Sequence, residues 1–396
     1  MNSFEAIVIG GGAVGMSTAY HLANEGVDVA LLEKESEPAM HQSSRNSGVI
    51  HAGYNPKPGT LKAEYCVQGN RELREYCYDR RLPVREGGIL IVAHNDKDIG
   101  VLQTLQERGI KNGASVRMLN EQEIKDAEPN AWGIAALQAL DGASFDAKAY
   151  VQKLADDTVI SGANILYDTQ VDAIKETGVG SEVKTDKGRF AAKVVINAAG
   201  LYADTLAESI SEDMRIIPFR GYYAEIKASK THLVNSHIYA APDLDFPFLG
   251  VHLSKKTDGR VIVGPGAMLA LGREGYSLTS IDGGGLSKTL SWPGFYRMLS
   301  KPEFRTLFRR EIKKSILIRA IAKEAIGLVP SLDEDDLVRA YAGNRAQLVD
   351  RKGNLVDDIV VRDTDHAIHV LNAVSPGLTC SLPFGRHLAE RAKSKL

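Results

Sequence analysis

Cysteine is scarce in this chain: Cys66, Cys77 and Cys380 are the only three among 396 residues, and none has metal-ligand spacing. An odd, sparse set excludes a disulfide framework and suits a reducing compartment. Excess basic charge is missing as well, since 48 Lys and Arg face 50 Asp and Glu. A nucleic-acid surface needs a dominant basic field, so a small ligand is the expectation and no nucleic-acid partner is expected. No apolar run reaches the roughly 18 residues of a membrane span. The N-terminus enters a strand by Phe4 without the segments of a secretory signal. A cytoplasmic location is expected, or a peroxisomal one in a eukaryotic host, because Ser394-Lys395-Leu396 spells an import tripeptide. Internal repeats and low-complexity tracts are absent too. What remains is a globular composition in a chain too long for one core, hence two domains.

Residues Ala6 to Gly10 form a β-branched run, followed by glycines, a helical stretch from Ala13 to Asn24, and a second apolar run from Val27 to Leu32. This is strand, turn, helix, strand. After Glu33 the pattern breaks, so the sheet must be completed from later segments. Asp146 can cap a helix through Ile160, and Lys193 to Asn197, apolar on both faces at Val194-Val195-Ile196, suits a buried parallel strand. Ile368 to Leu371, Ser375-Pro376-Gly377 and a C-terminal helix supply the third piece. Longer alternating runs, such as Tyr222 to Ile226 and Arg260 to Val263, suit an antiparallel sheet. The expected fold is α/β with an α+β second domain. A discontinuous Rossmann-like cofactor domain (1–85, 146–214, 330–396) is joined by an antiparallel-sheet substrate domain (86–145, 215–329). Residues Phe304 to Lys323 are amphipathic, with Phe304, Phe308, Ile312 and Ile316 on one face and Arg305, Arg309, Arg310, Lys313, Lys314, Arg319 and Lys323 elsewhere. Both a solvated helix packed on a sheet and a peripheral membrane helix have this pattern.

Gly10-x-Gly12-x-x-Gly15 is a dinucleotide fingerprint, weak alone but here placed between a buried strand and a helix. Gly10 permits the tight turn, Gly12 admits the pyrophosphate, and Gly15 lets helix and strand close up. Glu33, at the end of the next strand, can accept ribose hydroxyls. The pyrophosphate then meets the positive end of a helix. The lack of a contiguous second βαβ half argues against a nicotinamide cofactor, and the remaining loops suit FAD. Ser43, Ser44, Arg45, Asn46 and Ser47 offer hydroxyls, an amide and a cation. Ala199 and Gly200 let backbone pass close to the cofactor. Gly377, Leu378 and Thr379 are expected to start a helix whose amides face the flavin, where charge gathers on reduction.

The strings Arg45 to Gly53, Pro58 to Ala63, Phe246 to His252, Asp258 to Pro265, Leu269 to Tyr276, Arg345-Ala346-Gln347 and Ser375 to Thr379 span nearly the whole chain. Together they resemble the L-2-hydroxyglutarate dehydrogenase and oxidase family of the D-amino-acid-oxidase-like flavoproteins. Arg220 to Glu225 and Gly266-Ala267-Met268 depart from that pattern beside the expected pocket. The resemblance implies noncovalent FAD and oxidation of L-2-hydroxyglutarate to 2-oxoglutarate by hydride transfer to flavin N5. Electrons would then pass to oxygen or a quinone-type acceptor. It favours His51 and His252 as catalytic groups, and places a carboxylate-binding arginine at Arg345. Lys62, Arg220 and Tyr223 are the further contacts for a dicarboxylate substrate, and Lys34 and Val171 count with the cofactor contacts. No metal is expected. Oxidation of another hydroxy acid, of glycerol 3-phosphate or of an amino acid stays open, as does a non-enzymatic nucleotide-fold scaffold.

Overall fold

The computed structural model describes residues 2–244, 250–277 and 279–396. Phe246-Pro247-Phe248-Leu249, the start of the string Phe246 to His252, lies outside them.

Strand β1 (Asn2–Ile9), helix α1 (Ala13–Asn24) and strand β2 (Val29–Leu32) open the chain. β1 pairs in parallel with β2 on one side and with Gly188–Asn197 on the other. Two further parallel strands follow, Asn164–Leu166 beside β2 and Ala367–Asn372 beside Gly188–Asn197. The central sheet is thus assembled from three separated stretches. Its middle strands carry apolar side chains on both faces, and Ile7, Val8, Leu31, Val194, Val195 and Ile196 are all fully enclosed. Burial on both sides is what a parallel sheet covered by helices demands. One cover is α1, packed with Ser381–Lys393 and Ala147–Ile160. Asp146 caps the latter helix, its carboxylate accepting from the Lys148 and Ala149 amides at 3.0 Å.

Among the described residues the second sheet has nine strands. Its spine is the antiparallel pair Met214–Ile226 and Leu337–Asp350. It is antiparallel throughout its named pairs except where His237–Ala240 runs parallel to Ile89–Ala93. Those two strands come from distant stretches with no hairpin to impose the opposite sense. Leu337–Asp350 falls in the 330–396 stretch yet builds this second sheet, because its partner is a strand more than a hundred residues earlier.

The amphipathic stretch is two helices, Pro302–Ile316 and Ile318–Leu328, rather than one. Phe304 packs into a core with Phe219, Trp292, Phe295 and Met298. Lys314 is buried, paired with Glu311 at 2.8 Å and Glu324 at 2.5 Å. Among the described residues no helix is long and apolar enough to cross a membrane.

Candidate active site

Between the sheets lies a cavity of about 1000 Å³, walled by β1, the 39–57 loop, the 198–206 turn and the 370–379 segment on one side. Phe219, Tyr223, His252 and Arg345 of the second sheet close the other side. Its volume is at the top of the roughly 300–1,000 Å³ of ordinary ligand sites, which suits a long ligand.

At one end the fingerprint glycines do what their spacing requires. Gly10 has φ +105°, and a Cβ there would sit 2.6 Å from the Ala198 carbonyl oxygen. A Cβ on Gly15 would stand 2.0 Å from the Gly10 oxygen, so Gly15 serves helix–strand closure and does not line the cavity. Gly12 opens α1, and Ser43 Oγ accepts from the Ala13 amide at 3.0 Å. Glu33, buried at the end of β2, accepts from the Gly11 amide at 2.5 Å and the Glu35 amide at 2.9 Å. Both carboxylate oxygens are thereby aimed, and each retains a lone pair.

Lys34 lines the cavity with its ammonium held by Glu35 at 2.7 Å and by Glu274. His41, which the sequence reading passed over, joins this group through Glu35 at 2.9 Å and the Tyr276 hydroxyl at 2.6 Å. Arg45 lies 4.0 Å over the Tyr276 ring. Asn46 shapes its own loop, donating to the Gln42 and Ser43 carbonyls and accepting from the Gly48 amide. Ser47, Val171, Ala199 and Gly200 also line the cavity. Ser44 does not, and its hydroxyl donates to the His41 carbonyl.

At the other end, Gly377, Leu378 and Thr379 line the cavity, but no helix starts there. Turns occupy 375–380 and the helix begins at Ser381, its approach set by the Cys380 amide bonding the Pro376 carbonyl at 3.0 Å. Among the described residues, no backbone carbonyl takes the Leu378 and Thr379 amides. A tight turn therefore offers the donors expected of a helix start. The Thr379 hydroxyl accepts from the His51 amide at 3.1 Å and so ties this turn to the 49–51 stretch.

The expected substrate groups converge here, with one exception. Arg345, opposite Phe219 in the strand pair, is half-buried, and desolvation pulls its pKa down to about 10 against the influence of Asp357 and Tyr223. Lys62 is buried with its ammonium 2.8 Å from Asp357. Tyr223 stacks on Tyr341 with centroids 4.8 Å apart. Arg220 does not reach the cavity. On its strand Phe219, Gly221 and Tyr223 face inward, so alternation turns Arg220 to the opposite face, where it donates to the Tyr222 hydroxyl at 2.9 Å and the Ser277 carbonyl. Lys57 and Arg108, not singled out from sequence, do line the cavity.

Both histidines line the same space. Burial lowers the pKa of His51 to about 4, and its Nε2 lies 3.5 Å from Ser375 Oγ. Burial lowers His252 to about 3, opposed in part by the Gly250 carbonyl. That carbonyl lies 3.1 Å from Nδ1 and can only accept, so Nδ1 carries the proton. The Nε2 lone pair has no partner among the described residues.

The glycine turn opening α1 and the carboxylate aimed beside it form a dinucleotide-binding end to a long cavity between two sheets. The chain belongs to the FAD dependent oxidoreductase family, whose model matches residues 5–391. It is 40% identical to an L-2-hydroxyglutarate dehydrogenase of Indibacter alkaliphilus, over 98% of each chain. A mitochondrial L-2-hydroxyglutarate dehydrogenase of Homo sapiens is 35% identical, over 100% of this chain and 89% of that one. Among solved structures, an FAD-bound L-α-glycerophosphate oxidase from Mycoplasma pneumoniae aligns with TM-score 0.79 at 26% identity, over 100% of this chain and 95% of that one.

Proposed function

We propose that this protein oxidises L-2-hydroxyglutarate to 2-oxoglutarate with FAD held in the central cavity. The observation that carries this reading is the convergence of Arg345, Lys62 and His252 on one cavity that begins at the glycine turn. FAD, when bound, supplies the hydride acceptor. Glu33 would hold the ribose, the α1 amides the pyrophosphate, and the Leu378 and Thr379 amides the flavin end. Arg345 binds the substrate's α-carboxylate through its planar fork, and Lys62 takes the second carboxylate by exchanging its bond to exposed Asp357. His252 Nε2 accepts the hydroxyl proton, and its low proton affinity in the free enzyme keeps it in the accepting form at neutral pH. His51 lies across the site as a neutral hydrogen-bonding group.

Electrons leave to oxygen or a quinone-type acceptor. Arg305, Arg309, Leu317 and Arg319 are exposed along the 302–328 helix pair, which supports peripheral membrane contact. Anaerobic titration with L- and D-2-hydroxyglutarate tests substrate, stereochemistry and cofactor together. The L form is expected to bleach the flavin absorbance and the D form to leave it. Bleaching by glycerol 3-phosphate or an amino acid instead would reassign the substrate within the same family.

A further inference from the structure

His252 has a partner on its far side that the reaction scheme leaves unused. Tyr239 stands directly opposite it where the strands His237–Ala240 and His252–Lys255 pair antiparallel. The two rings stack with centroids 4.0 Å apart and planes 18° apart. Tyr239 is 3% exposed and stands behind the residues that line the cavity, so it acts on His252 and not on substrate.

A histidine that takes a proton becomes a cation, and enclosed in protein that cation needs compensation. A carboxylate at Nδ1 is the common device, but here Nδ1 meets a neutral carbonyl, that of Gly250. The titratable groups acting on His252 are His51 across the cavity and His237 on the strand of Tyr239. Protonation of either would oppose a charge on His252, and no carboxylate among the described residues acts on it. Tyr54 and Tyr223 face Tyr239 in turn and bring no charge at neutral pH. The aromatic face of Tyr239 is therefore the group placed to favour the protonated ring, since a π face attracts a cation more strongly than a neutral ring.

We propose that Tyr239 is a positioning residue for this oxidation: its ring fixes the plane of the His252 imidazole and stabilises the imidazolium formed when Nε2 takes the substrate's hydroxyl proton. The O–H bond breaks, the proton goes to Nε2, and the bonding pair stays on oxygen to become part of the carbonyl. This rests on His252 being the proton acceptor, as proposed above.

The test is anaerobic stopped-flow flavin reduction by L-2-hydroxyglutarate in FAD-loaded enzyme, across the pH range in which the protein stays folded. Wild type, Tyr239→Phe, Tyr239→Leu, His252→Ala and the Tyr239→Leu/His252→Ala double variant are compared. Tyr239→Leu is expected to lower the reduction rate constant about threefold to thirtyfold. Its substrate Kd should stay within about twofold, because Tyr239 touches no substrate. Losing the imidazolium's stabiliser lowers the base's pKa further, so the slowing in Tyr239→Leu is expected to be independent of pH across the folded range, with no new acid limb. Tyr239→Phe should keep the wild-type rate and profile, and Tyr239→Leu should add nothing in the His252→Ala background. In ¹⁵N spectra, His252 should keep its Nδ1–H tautomer in Tyr239→Phe and lose it in part in Tyr239→Leu. If Tyr239→Leu does not fold, Tyr239→Met, similarly sized and also without a π face, replaces it. A slow His252→Ala together with a wild-type rate in Tyr239→Leu overturns the proposal alone, and so does an equal slowing by Tyr239→Leu in both backgrounds. A wild-type rate in His252→Ala overturns the proton-acceptor assignment beneath it.

Discussion

Arg345 and His252 carry different parts of the chemistry, and substitution should separate them. Arg345→Met removes a half-buried guanidinium from the substrate's carboxylate and leaves the glycine turn untouched. The enzyme is expected to remain yellow with KM raised by about two orders of magnitude, the size of a lost buried charge contact. Steady-state kinetics on FAD-replete protein measure this, and an unchanged KM would take Arg345 out of the site. His252→Ala removes a proton acceptor without touching the substrate's charge, so flavin reduction should slow by about 10²–10⁴-fold at saturating substrate. The family resemblance singled these residues out, since the sequence holds ten histidines and spacing favours none of them. Their states were not legible in the sequence. The free Nε2 of His252 follows from a carbonyl two residues away, in the segment that leads into its strand, and Lys62 meets Asp357 only across 295 positions. Arg220 shows the opposite failure. Its type suits a carboxylate, but strand alternation points it the other way.

Among the elements, the strand–turn–helix at the N-terminus is the most completely local. Its glycines are dictated by contacts within a few residues and by one neighbouring turn. Gly15→Val would drive a side chain against the Gly10 carbonyl, only 2.0 Å from any Cβ. The expected outcome is purified protein that has lost its visible flavin absorbance. Asp146→Ala is the contrasting case. Loss of that cap should lower stability by about 1 kcal/mol in denaturant titration and leave the flavin bound. The helix that sequence places at 376–379 begins at Ser381, because the Pro376 carbonyl first closes a turn onto the Cys380 amide. Pro and Gly in succession mark a turn as readily as a helix start, and the choice rests on what packs above.

For the whole molecule, histidines held neutral by full or partial burial set the response to acid. Burial lowers His21 and His51 to about 4, and His237 and His252 to about 3. In the unfolded chain each titrates near about 6.5. Below that value the unfolded state binds protons that the folded state refuses, so stability falls as pH drops through the interval between the two pKa values. Above about 6.5 these groups contribute nothing to the slope. Each can contribute up to about 1.4 kcal/mol per pH unit within its window. The melting temperature should therefore decline from about pH 6.5 downward, and His237→Gln should flatten the decline. A melting temperature independent of pH over that interval would show that these rings are not held neutral.

The chain's own pattern determined the dinucleotide turn, the capped helix at Asp146, the doubly buried strand 193–197 and the need for a second, sheet-based lobe. Each of these depends on residues a few positions apart, where steric and hydrogen-bonding rules act directly. Only the tertiary structure decided that 337–350 belongs with the second sheet, that Arg220 faces away, that Glu33 is aimed by the Gly11 amide, and that Tyr239 backs His252. Those outcomes depend on strand register and on contacts across tens to hundreds of residues, which the packing of the two sheets creates and local preference does not specify.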